Sequence, residues 1–152
     1  MKKADRITAF VEKLGTDPGL ALDPRYQAYF RCFNERRYYQ AHDVLENLWL
    51  QGPDENHRFF KGLIQVAGAF VHLQKQFLRP AHPKDGRRLR PAVRLFHLAL
   101  TNLELFRPRH MQLDVEGLCV TCSHLAAEIA SKEFTHNPWH PGRPPQLCLS
   151  AV

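Results

Sequence analysis

The chain has 152 residues, 44% of them hydrophobic and 24% charged, with a net charge of +6. That length suits one domain with a proper core, and the balance is that of a globular protein, not of a disordered or fibrous one. No apolar run approaches the roughly 18 residues of a membrane span. Cys32, Cys119, Cys122 and Cys148 are too few and too unevenly spread for a secreted disulfide scaffold. The start of the chain, Met1 to Arg6, lacks the apolar stretch of a signal peptide, so a cytoplasmic protein is the expectation.

The pattern along the chain predicts helices nearly throughout. Ile7, Phe10, Val11 and Leu14 mark a first short helix that Gly15 ends. An extended linker over 16–23 leads to Asp23-Pro24, an N-cap and first-turn pair. Tyr26, Tyr29, Phe30 and Phe33 form the apolar stripe of a second helix. A third runs over about 38–51 and stops at Gly52-Pro53. Asp54 is a candidate cap for a fourth, over about 55–77, whose middle is apolar on nearly every side. A helix of that kind belongs at the centre of a domain. A Pro- and Arg-rich connection over 79–90 leads to a fifth helix carrying Ala92, Leu95, Phe96, Ala99, Leu103 and Phe106 on one face. A sixth carries Leu118, Cys119, Cys122, Leu125, Ala126 and Ile129. No clean strand signal accompanies them. The fold class expected is all-α: a single-domain array of five to six helices, residues 1–134, around a central buried helix.

Residues 135–152 read differently. Four of the chain's eleven prolines (Pro138, Pro141, Pro144 and Pro145) fall there and bar a helix. An extended tail is expected, lying on the domain or loose in solvent, with Trp139 arguing for contact.

Chemistry is hinted at in two polar stripes. At about 100° per residue, Tyr38, His42, Glu46 and Trp49 share one side of the third helix, and Lys61, Gln65, Gly68 and His72 share one side of the fourth. Polar side chains set against a core are costly unless they pair with one another or with a ligand. A short turn joins the two helices, so antiparallel packing is expected to bring His42 and Glu46 to the Gln65–His72 side. A structural network in which Glu46 accepts from His42 is one reading. A metal held by His42, Glu46 and His72, or acid–base chemistry by the same groups, is another. No metal or cofactor is named by the spacing, since a paired motif such as His-Glu-x-x-His is missing.

Two further patterns bear on chemistry. Cys119-x-x-Cys122 with His136 and His140 has zinc-finger spacing, but the cysteines sit on an apolar helical side where buried thiols are common. Residues 73–94 hold seven basic side chains (Lys75, Arg79, Lys84, Arg87, Arg88, Arg90 and Arg94) against one acid, Asp85. Lys84, Arg87, Arg88, Arg90 and Arg94 are the candidates for contacting a polyanion or nucleic acid, with a solvated surface as the alternative.

Phe33-Asn34, then Tyr38-Tyr39-x-Ala41-His42-x-x-Leu45-Glu46-x-x-Trp49, then Phe60-Lys61-Gly62-Leu63-Ile64-Gln65-x-Ala67 with His72 resemble domain-of-unknown-function family 309, a bacterial and archaeal family. The resemblance covers about residues 26–103 and implies a compact helical array with no established activity. The chain departs from the family pattern over 73–91, where the connection is longer and more basic and Pro91-Ala92 replaces Gly-Ala. The functions consistent with the whole sequence are a ligand- or partner-binding or structural module, a metal-assisted or acid–base enzyme built on His42, Glu46 and His72, and a polyanion binder. No partner is named, and self-association remains open.

Overall fold

A computed structural model describes residues 2–151 as six α-helices and one small hairpin: α1 (Lys3–Leu14), α2 (Pro24–Asn34), α3 (Tyr38–Trp49), α4 (His57–Leu78), α5 (Leu89–Leu103), β1 (Arg109–His110), β2 (Leu113–Asp114) and α6 (Val115–Ser131). The all-α class is as the sequence indicates. Helix boundaries follow local chemistry. Gly15 takes φ +75° and ends α1. Asp23 accepts from the Arg25 amide at 2.8 Å, capping α2 with Pro24 in its first turn. Asp54 does not cap α4 directly. It accepts from the Asn56 amide at 2.8 Å, fixing the turn that precedes the helix.

Helix α4 is the centre of the molecule. Phe59, Leu63, Val66, Ala67, Ala69, Phe70 and Leu73 are all fully buried, with α3 on one side and α5 on another. The core on the α2–α3 side is aromatic: Phe33 meets Tyr38 and Phe70 edge-on at 5.2 and 5.1 Å between ring centres. Buried tyrosine hydroxyls each find a partner, Tyr29 donating to the Leu63 carbonyl at 2.6 Å and Tyr26 to the Met111 carbonyl at 3.0 Å. On the opposite side α5 approaches closely because position 62 has no side chain. A Cβ at Gly62 would lie 2.8 Å from Leu103 Cγ. Gly68, further along the same helix, is less tight: a Cβ there would stand 3.1 Å from Leu95 Cδ1.

The hairpin, unforeseen in the sequence, pairs Arg109 with Asp114 and His110 with Leu113. Its strands are two residues long, too short to show alternation, and its turn holds Met111 and Gln112 at positive φ. The C-terminal stretch is extended and laid on the helices. Trp139 is buried, Asn137 donates to the Leu73 carbonyl at 2.8 Å, and Leu149 bridges to Leu113.

Candidate functional site

The two polar stripes lie on adjacent helices but have different neighbours. α3 packs into the core through Tyr38, Ala41, Val44 and Leu45. That choice turns His42 and Glu46 toward the start of α1. His42 Nε2 stands 3.8 Å from Glu46 and its Nδ1 3.3 Å from Asp43. Lys3 Nζ lies 3.6 Å from Asp43 and 3.8 Å from Glu46. Lys3 and Asp43, with Ile7, Phe10 and Val44, line a cleft of about 380 Å³ between α1 and α3. His42 and Glu46 are each about a third exposed, so this is a screened surface network.

The α4 stripe is served by α5 and the connection that follows α4. Gln65 is buried and accepts from the Asn102 amide at 2.8 Å. His72 Nδ1 accepts from Arg88 Nη1 at 3.1 Å, which fixes the imidazole as neutral with its proton on Nε2. Burial and the nearby Arg88 charge push His72 down to about 4. No hydrogen bond or ion pair joins His42 or Glu46 to Gln65 or His72 among the described residues. The expected four-residue cluster is therefore two separate networks.

The remaining members sit apart from both. Tyr38 is fully buried and its hydroxyl accepts from Trp139 Nε1 at 3.0 Å. Trp49 stacks on His57 at 4.7 Å between ring centres, and Lys61 Nζ lies 4.5 Å above the Trp49 ring. Trp49 Nε1 and His57 Nδ1 are buried there without hydrogen-bond partners. His57 was not singled out in the sequence, and its place at the start of α4 facing Trp49 would have been the signal.

The Cys-x-x-Cys pattern resolves into core packing. Cys119 and Cys122 are buried free thiols whose ionisation is pushed up by burial. His136 instead stands 3.6 Å from Glu128, and His140 packs on Phe77.

The connection after α4 is organised around its one acid. Asp85 is buried, and its carboxylate accepts from Arg88 Nη2 at 2.6 Å, Arg88 Nε at 2.9 Å and Arg79 Nη1 at 3.1 Å. The Arg88 hydrogen bonds hold the Asp85 carboxyl below the usual carboxylate range. Gly86 lets the loop close: a Cβ there would overlap the Pro80 carbonyl oxygen and lie 2.7 Å from that of His82. Arg88, a candidate for outside contacts, is thus committed to the interior. The other four candidates differ from it. Lys84, Arg87, Arg90 and Arg94 are exposed and have no carboxylate partner among the described residues.

Residues 26–82 match the family described as Domain of unknown function (DUF309). Over those residues the chain is similar to that family. The match spans nearly all of α2, all of α3 and α4, and the first turn of the connection, and so includes His42, Glu46, Trp49, Lys61, Gln65 and His72. The match ends before Lys84, so the basic surface belongs to the part of the chain outside it. No curated protein and no solved structure matches the chain.

Proposed function

We propose that this protein is a binding module for anionic polymers, nucleic acid above all, and that phosphates engage the basic surface of the α4–α5 connection and the start of α5. One observation carries this reading. The segment's single carboxylate is consumed internally by Arg79 and Arg88, which leaves Lys84, Arg87, Arg90 and Arg94 as unopposed exposed cations. Unopposed cations release counterions from a phosphate backbone on contact, whereas paired ones gain little. An enzyme built on His42, Glu46 and His72 has less support, because His72 is occupied by Arg88 while Glu46 is shared between Lys3 and His42. The reading places the protein in the cytoplasm, where the four free cysteines would stay reduced. No helix is long and apolar enough to cross a membrane among the described residues.

Fluorescence anisotropy with a labelled DNA duplex over a range of salt tests it. Affinity should fall linearly with log salt, with a slope of about −0.9 per phosphate neutralised. Arg87→Ala and Arg94→Ala should each weaken binding and flatten that slope by about one unit. Arg88→Ala should instead lower the melting temperature, since it strips Asp85 and His72 of their shared partner. Absence of binding at low salt to duplex, single strand and polyphosphate alike would end the proposal.

A further inference from the structure

Among the unopposed cations, Arg90 is held in a particular way. Its guanidinium carbon lies 4.1 Å from the centre of the Phe134 ring, in the turn that follows α6. Contact that close puts the guanidinium over the aromatic face, where arginine favours a stacked arrangement. Arg90 and Phe134, with Gln76, Gly86, Arg87 and Leu89, line a cleft of about 280 Å³ that contains no carboxylate. Gln76 is fixed in the wall of this cleft by accepting from the Arg88 amide at 2.7 Å. The cleft therefore combines an exposed guanidinium packed on an aromatic ring with a second, Arg87, whose side chain has no hydrogen-bond or ion-pair partner among the described residues.

We infer that this cleft seats one nucleotide of a single-stranded nucleic acid, its base stacked on the outer side of Arg90 and an adjoining phosphate held by Arg87. Resting on the polyanion reading above, this adds a preference for strand type. Bases stack on arginine planes as they do on aromatic rings, and a plane already packed on Phe134 loses little freedom when the base arrives. Charge alone cannot produce such a preference. A duplex keeps its bases inside, so it can offer this cleft phosphates but no base to stack. The cavity is at the small end for ligand sites, which suits one nucleotide rather than a longer element.

The test separates stacking from charge by comparing two labelled single strands of equal length, one of deoxyadenosine and one of abasic deoxyribose phosphate. Both carry the same phosphates. The base-bearing strand should bind about tenfold more tightly at the same salt, the effect of one stacked base. Arg90→Lys keeps a charge on that side chain and removes the plane, so the deoxyadenosine strand should lose its advantage and bind no more tightly than the abasic strand. Phe134→Leu, checked for an unchanged circular dichroism spectrum, should also narrow the difference. Equal binding of the two strands by the parent protein would overturn the inference while leaving polyanion binding intact. A preference that survives Arg90→Lys would overturn it as well, as would tighter binding to duplex than to the deoxyadenosine strand. Failure of every polyanion to bind would bring down the broader reading with it.

Discussion

His72 accepts a hydrogen bond from an arginine that is itself locked onto Asp85, so the imidazole cannot take up a proton without facing a fixed cation. Lys75 and Arg94 add to that opposition. The sign of the resulting pH effect follows from where the protons go. Unfolded, His72 begins to charge near its ordinary value of 6.5; folded, it stays neutral down to about 4. Stability from this group is therefore fully present above pH 6.5 and is lost as pH falls through the interval down to about 4. His110, also pushed down by burial, acts in the same direction and will remain in any single variant. Melting temperature should thus drop between pH 7 and pH 5 in the parent protein and drop less in His72→Gln; equal drops would show that His72 is not held as described. At this scale the sequence revealed which residues are polar and set among apolar ones. It did not reveal their partners. Arg88, Asn102 and Lys3 come from other elements, and nothing in the spacing of His72, Gln65 or Glu46 anticipates them.

Helix α4 shows why element-level patterning was the more legible layer. Its apolar residues recur on nearly every side, and a helix with that pattern has only one stable place, surrounded by others. Leu63 is fully buried, and its carbonyl also receives the Tyr29 hydroxyl at 2.6 Å. Leu63→Ala should accordingly destabilise the protein by about 2–5 kcal/mol, measured by urea denaturation, through lost burial and the cavity left behind. A change under about 0.5 kcal/mol would be inconsistent with a central α4. The periodicity that reveals a buried helix is blind to which glycine lets a neighbour in. Gly62 and Gly68 lie on the same helix, yet only the approach of Leu103 distinguishes the tighter position. The hairpin escaped notice for a related reason: its pairing is fixed by a turn at Met111 and Gln112, residues that carry no turn preference of their own.

Across the whole molecule, the Pro-rich stretch joins parts of the chain that are far apart in sequence. Asn34, at the end of α2, exchanges two hydrogen bonds with the Leu147 backbone, both at 2.7 Å. Trp139 donates to Tyr38 from between Tyr38 and Phe77, which it meets edge-on at 6.0 and 5.5 Å. Prolines explain why this segment is not helical, and the exclusion of a helix was readable in advance; its seat was not, because it depends on a hydroxyl 101 residues away. A segment held by a buried indole and paired backbone should unfold with the helices it joins, not before them. The chain has two tryptophans, so a Trp49→Phe background makes fluorescence report on Trp139 alone. In that background the urea midpoint seen by Trp139 emission should coincide with the midpoint seen by far-ultraviolet circular dichroism. Trp139→Ala in the otherwise native chain should then lower global stability by about 3–5 kcal/mol, the usual cost of removing a buried aromatic side chain. An emission change at distinctly lower urea than the loss of helix would mean that the segment peels away first and contributes little to holding the array together.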